Sequence, residues 1–261
     1  MNRQERLTKL LDLVVEHRTL RVEDIVRELQ ISPATARRDL DYLATQQLVT
    51  RTRGGVMTNP TSGEMPMRFR TVRNNDQKSA IARKAVDLVR PGNVVALNGG
   101  TTTMAIGAEL GQRVATDYSF GRHPVTVVTN AVNIANDLIV RPQVRVVVTG
   151  GVARARSYEL VGPLASLIYP HINVDIAFLG AVGISVSDGI FTDNESEAAA
   201  NRALVTVARK AYVVVDSSKI GVGAFAKICA LEQIAGVITD ADISASDREA
   251  LETAGVAVIT G

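Results

Sequence analysis

The segment Ser32-Pro33-Ala34-Thr35-Ala36-Arg37-Arg38-Asp39-Leu40 constrains this chain more than any other. A serine directly before a proline marks a helix start. The hydroxyl accepts an early backbone N–H, and proline at the first helical position lacks an N–H that would have no partner anyway. Ala36, Leu40 and Leu43 recur at helical spacing and define a core-facing side. Thr35, Arg37, Arg38 and Tyr42 fall mostly on the rest of the helix. A short capped helix with small polar residues and two arginines in its first turns fits the major groove of DNA. Its N-terminal end approaches phosphates and its side chains reach base edges. Alone, such a helix is more often a solvated surface element, so its flanks decide.

Residues 4–17 read as a helix with Leu7, Leu10, Leu11 and Val14 on one side, and 22–29 as a shorter one with Val22, Ile25, Val26 and Leu29. Gln30-Ile31-Ser32 is the turn between the second and third helices, which together make a helix-turn-helix. From Leu48 to Met57, alternating residues around Gly54-Gly55 predict two short strands, a wing. Arg51 and Arg53 are two apart and are expected on one strand face, with the phosphate backbone as partner.

Roughly from Arg3 to Met57 these residues resemble the N-terminal domain of DeoR-type bacterial transcriptional regulators. Residues 32–40 and the Gly54-Gly55 wing carry the likeness. Ala36 stands where that family usually has isoleucine, trimming a core contact, and Arg53 where it usually has histidine, adding charge to the wing. The resemblance implies a double-stranded DNA operator as partner, contacted by Ser32, Thr35, Arg37, Arg38, Arg51 and Arg53.

A chain of 261 residues suits about two domains. We expect a DNA-binding domain over 1–57, a linker over 58–75 and an effector domain over 76–261. Thr58-Asn59-Pro60-Thr61-Ser62-Gly63 has loop composition. Arg68, Arg70 and Arg73 follow it, either at a domain or subunit contact or solvated in the linker. Residues 1–57 hold ten Lys and Arg against eight Asp and Glu, and 58–84 hold six against two. DNA affinity must therefore rest on the placement of Arg37, Arg38, Arg51 and Arg53 rather than on a bulk basic field. No apolar run approaches the roughly 18 residues of a membrane span. The N-terminus lacks a signal-peptide core. Cys229 is the only cysteine, and His17, His123 and His171 are scattered, so no zinc-type cluster forms. The expectation is a cytoplasmic protein without metal, cofactor or membrane contact.

From Asp76 short apolar runs alternate with helical stretches. Strands are expected at 94–97, 125–128, 144–148, 176–179, 211–215, 237–239 and 256–259. Helices are expected near 81–89, 102–110, 131–138, 197–209 and 246–254. The runs are rich in Val and Ile and do not alternate, as in strands covered on both faces, so the fold class is α/β with a mostly parallel sheet. Ligands in such sheets bind where strands end. The turns there are Asn98-Gly99-Gly100-Thr101-Thr102, Thr129-Asn130, Gly150-Gly151, Leu179-Gly180 and Asp216-Ser217-Ser218-Lys219. Glycines admit close backbone approach, and free N–H groups with threonine hydroxyls suit a phosphate. No P-loop and no dinucleotide fingerprint is present, which argues against an NTPase or a dehydrogenase.

These motifs, with Val161-Gly162-Pro163 and Glu197-Ala198, come in the order seen in the C-terminal domain of DeoR-type regulators. That domain is similar in fold to ribose-5-phosphate isomerase and glucosamine-6-phosphate deaminase. The resemblance implies a phosphorylated sugar or related metabolite as effector and a shell of Asn98, Gly99, Gly100, Thr101, Thr102, Asn130, Glu197 and Lys219. In it Lys219 faces phosphate and Glu197 faces hydroxyls, unless those two simply pair with each other on the surface. Asn98 replaces a usual aspartate and Asn201 a usual lysine. The expected protein is a repressor of carbohydrate-metabolism genes, a homo-oligomer (dimer or tetramer) that its effector releases from DNA. It is not expected to be an enzyme and so has no catalytic residues. The alternative is an isomerase or deaminase with a DNA-binding head, using Glu197, Asp193 and Lys219.

Overall fold

A computed structural model describes residues 2–46, 48–58 and 74–261. The expected linker, with Arg68, Arg70 and Arg73, falls almost wholly outside them. The chain divides into two compact units, Met1–Arg73 and Asn74–Gly261.

The first unit begins with α1 (Arg3–His17), closed at its start by a capping box between Asn2 and Glu5. A short strand β1 (Thr19–Arg21) leads into α2 (Val22–Leu29), and Gln30 ends α2 in the left-handed conformation. Helix α3 (Pro33–Thr45) starts as the sequence predicts, the Ser32 hydroxyl accepting the Thr35 N–H at 3.1 Å. Strands β2 (Val49–Thr52) and β3 (Gly55–Thr58) complete an antiparallel sheet in the order β1-β3-β2. Leu7, Leu10, Leu11, Val14, Ile25, Ala36, Leu40 and Leu43 form one buried cluster beneath it. Two features differ from expectation. The wing turn is Arg53-Gly54, so Arg53 leaves the strand and no longer shares a face with Arg51. Gly55 instead pairs with Arg21 of β1, a strand too short to read, and a Cβ at Gly55 would strike the Leu20 carbonyl.

In the second unit α4 (Asn75–Asp87), β4 (Val94–Leu97), α5 (Thr101–Thr116), α6 (Ser119–Arg122), β5 (Val125–Thr129), α7 (Val132–Leu138) and β6 (Val144–Val148) come first. A small hairpin, β7 (Val152–Ala153) with β8 (Leu160–Val161), precedes α8 (Pro163–Ser166) and β9 (Val174–Leu179). Strands β10 (Gly183–Ser185) and β11 (Gly189–Thr192), helix α9 (Glu195–Val207), β12 (Ala208–Val214), β13 (Ala226–Cys229), β14 (Gly236–Thr239), α10 (Ala245–Thr253) and β15 (Ala257–Thr260) follow. All seven expected strands join one parallel sheet, ordered β15-β14-β12-β9-β4-β5-β6. Arg209, expected at a helix end, lies in β12. The apolar strands do not alternate because both faces are covered. Val95, Leu97, Ile176 and Phe178 pack with α4, α5 and α7, while Ala96, Ala177 and Leu179 pack with α9 and α10.

Strand order reverses at β4. The chain runs outward through β5 and β6, then returns to the other side of β4 with β9, β12, β14 and β15. A crevice at the carboxyl ends of β4 and β9 is the site such a reversal creates.

Candidate functional site

On the first unit, α3 leaves Ala34, Arg37, Arg38, Asp41 and Thr45 exposed. Neither Arg37 nor Arg38 makes an ion pair among the described residues. The Ser32 and Thr35 hydroxyls bond each other at 2.9 Å, so both serve the cap first. Behind this face the helix is tied to α1. Asp39 is buried and takes Arg6 through two nitrogens, at 2.6 and 3.3 Å, and the Arg3 guanidinium lies 4.8 Å from the centre of the Tyr42 ring. Arg51, expected to face phosphate, is engaged. Its Nε lies 3.2 Å from Asp41 of α3 and its Nη1 donates to the Gly55 carbonyl at 3.3 Å. It ties wing to helix. Arg53 is exposed at the wing tip.

On the second unit the sheet edge gathers most of the expected shell. Asn98 staples the two central strands: its Oδ1 accepts the Gly180 N–H at 2.8 Å and its Nδ2 donates to the Gly180 carbonyl at 2.9 Å. An aspartate there has no N–H for the second bond, which gives the departure at Asn98 a physical meaning. Gly99 donates its N–H to Glu159 Oε1 at 2.8 Å, and a Cβ on Gly99 would collide with that side chain. Asn130, at the end of β5, turns its Nδ2 to the same Oε1 and to the Leu160 carbonyl, both at 3.4 Å. Thr101 and Thr102 open α5, Thr101 half-buried and Thr102 buried. Thr103 bonds back to the Gly100 carbonyl at 3.1 Å.

Glu197, in the first turn of α9, completes the group. Asn194 caps that helix through the Ser196 and Glu197 N–H groups. The Glu197 carboxylate accepts the Thr192 hydroxyl at 3.2 Å and pairs with Arg154 at 3.0 Å. It does not pair with Lys219, which sits half-buried after β12 and makes no ion pair among the described residues. Glu197 stands beside Glu159. Burial pushes the Glu159 carboxyl well above its ordinary range, and the charge of Glu197 adds to this. Tyr169 nearby is pushed up to about 12, first by burial and then by Glu159.

Arg154 and Glu159 escaped the sequence reading. Both lie on the small β7–β8 hairpin, and only the pairing of that hairpin with the end of β5 brings them to the edge. The Leu160 N–H bonds the Asn130 carbonyl at 2.7 Å and the Val132 N–H the Tyr158 carbonyl at 3.0 Å. The one local signal is an acid set in the apolar run Tyr158-Glu159-Leu160-Val161.

A winged helix-turn-helix unit beside a parallel α/β unit with a polar site at its strand reversal defines a DNA-binding regulator with a sensor domain. The two matched families divide the chain in the same way. A DeoR-like helix-turn-helix domain covers residues 6–62 and a DeoR C terminal sensor domain covers 73–241. The HTH-type transcriptional regulator GlpR of Haloferax volcanii is 36% identical over 98% of this chain and 97% of its own length. The glycerol-3-phosphate regulon repressor of Escherichia coli K12 is 28% identical over 92% of each chain. The lactose phosphotransferase system repressor of Staphylococcus epidermidis is 29% identical over 92% of this chain and 93% of its own. The chain belongs to the DeoR family of transcriptional regulators. Among solved structures, the sorbitol operon regulator SorC of Klebsiella pneumoniae matches 96% of this chain and 99% of its own at 14% identity and a TM-score of 0.42. Ribose 5-phosphate isomerase A of Methanocaldococcus jannaschii matches 56% and 55% at 22% identity and the same score, 0.42. Among the described residues no helix is long and apolar enough to cross a membrane.

Proposed function

We propose that this protein represses carbohydrate-metabolism genes by binding an operator through α3 and the wing, and that a phosphorylated sugar releases it. The observation that carries the DNA half is the exposure of Arg37 and Arg38, with no ion pair among the described residues, on a capped helix in a winged helix-turn-helix. Arg37 and Arg38 take base edges and phosphates, Ser32 and Thr35 hold the helix start, and Arg53 reaches a phosphate from the wing tip. Arg51 acts by fixing the wing against α3. The effector half rests on the sheet-edge group and on relatives named for glycerol-3-phosphate and lactose phosphotransferase systems. Phosphate is received by Gly100, Thr101, Thr102 and Lys219, and hydroxyls by Asn130 and Glu197. The effector favours the conformation that does not bind DNA, shifting the population. A homo-oligomer places two reading heads on repeated half-sites, in the cytoplasm. The protein acts as a regulator rather than an enzyme, a reading supported by relatives that are named as transcriptional regulators and repressors.

The test is fluorescence anisotropy of the full-length protein on DNA from upstream of its own gene, against random duplex at equal salt, followed by titration with sugar phosphates. Preference for the upstream DNA and its loss with one sugar phosphate are expected. Equal affinity for random duplex overturns the operator reading. Selective binding that no sugar phosphate alters overturns the effector reading.

A further inference from the structure

The sheet-edge site is polarised from end to end. At the start of α5 and at Lys219 it offers donors and a cation: the first N–H groups of a 16-residue helix and an ammonium without an ion pair among the described residues. Over the end of β5 it offers the reverse. Glu159 and Glu197 are 2% and 7% exposed, and Arg154 pairs with Glu197 at 3.0 Å. The Gly99 N–H is taken by Glu159. Asn130 spends its amide nitrogen on Glu159 and Leu160, and its Oδ1 is buried with no partner among the described residues. Asn201, one turn beyond Glu197 on the same side of α9, likewise holds a buried Oδ1 without a described partner. This end therefore presents acceptors, and its cation is committed.

An anionic group brought there would shed water to face a carboxylate and bare carbonyl oxygens. A hydroxyl would satisfy them. Resting on the effector reading above, we propose that Glu159 and Glu197 make the site selective for sugar monophosphates whose far end carries hydroxyl groups. By the same means they exclude ligands with a second anionic group, namely sugar-acid phosphates and bisphosphates. Glu159, which the sequence motifs do not mark, is a positioning residue beside Glu197. Its carboxyl accepts the Gly99 N–H and so closes Gly99 to any ligand anion.

The test is calorimetric titration of the full-length protein with three matched pairs. These are fructose 6-phosphate and 6-phosphogluconate, fructose 1-phosphate and fructose 1,6-bisphosphate, and glycerol 3-phosphate and 3-phosphoglycerate. Whichever monophosphate binds, its doubly anionic counterpart should bind at least about tenfold more weakly, a difference of ~1.4 kcal/mol. E197Q removes the carboxylate that faces the ligand and Arg154, and should erase or reverse that ratio. E159Q keeps the acceptor on Gly99 and leaves Glu197 with Arg154 in place, and should preserve it. The E159Q arm and the wild-type ratio stand even if E197Q fails to fold. Equal affinity within each pair, or loss of the ratio in E159Q, overturns this proposal and leaves the effector reading intact. Silence of all three monophosphates overturns both.

Discussion

Charge is displayed on one unit of this protein and enclosed in the other. On α3, Arg37 and Arg38 stand exposed without ion-pair partners among the described residues, and the acid between them and the core, Asp39, turns inward to Arg6. At the sheet edge Glu159, Glu197 and Arg154 face one another, with both acids buried. An exposed cation keeps its hydration and counterions until a phosphate replaces them, so its energy appears in binding and in salt dependence. An enclosed acid pair is matched internally, so its energy appears in stability and in the response to pH. The same residue types therefore do different work, and substitutions in the two settings should be read by different measurements.

The largest effect is expected where enclosed charge occurs inside the displayed unit. Asp39→Ala leaves the Arg6 guanidinium, only 18% exposed at its side chain, without its partner. It should lower the stability of the first unit by about 3 kcal/mol, the low end for breaking a buried pair. Urea unfolding followed by circular dichroism reads this, and a loss below that of any exposed α3 substitution would break the distinction drawn above. Next comes Arg38→Ala. Its exposed side chain makes no ion pair among the described residues, so stability should stay within about 0.5 kcal/mol while operator affinity falls by about 1–3 kcal/mol. Unchanged affinity would remove α3 from the DNA contact.

The same contrast explains what could be read from the chain in advance. The head is a contiguous segment. Ser32-Pro33 sets the helix start, Ala36, Leu40 and Leu43 set the buried side, and the arginines follow by elimination. The seven strands were equally legible, because continuous Val and Ile runs carry their own signature. The sheet-edge site was half legible. Gly99, Gly100 and Asn130 sit at strand ends, where chain order alone points. Glu159 and Arg154 arrive by the pairing of a two-residue hairpin strand, and no local periodicity marks a strand so short. The partner of Arg51 was not legible for a related reason. The strand face of Arg51 was readable, but Asp41, ten residues earlier on a helix, reaches it only in three dimensions.

Glu159 supplies a sharper test of enclosure. Its pKa is raised in the folded protein, so folding favours the protonated acid. Above the ordinary glutamate value the unfolded chain releases the proton while the folded chain keeps it. Stability of the second unit should therefore fall as pH rises from about 4.3 up through the raised folded value. The slope for this one group is at most about 1.4 kcal/mol per pH unit. Glu159→Gln cannot titrate and should flatten that part of the profile. Thermal unfolding from pH 5 upward compares the two proteins, and parallel profiles would mean that Glu159 is not the proton carrier.

The smallest effect concerns the boundary between display and enclosure, the Arg51–Asp41 pair. Its side chains are 33% and 67% exposed, so it contributes only about 0.2–1 kcal/mol to stability. Asp41→Ala should therefore barely move the unfolding midpoint. It should still alter binding, because it removes an acid from the exposed face of α3 and frees Arg51 for phosphate. The salt dependence of operator binding should steepen by about one phosphate contact. Arg51→Ala in the otherwise intact protein should leave that slope unchanged, since Arg51 is already committed to Asp41 and Gly55. A reduced slope in Arg51→Ala would instead place Arg51 on the phosphate backbone and move it to the displayed class.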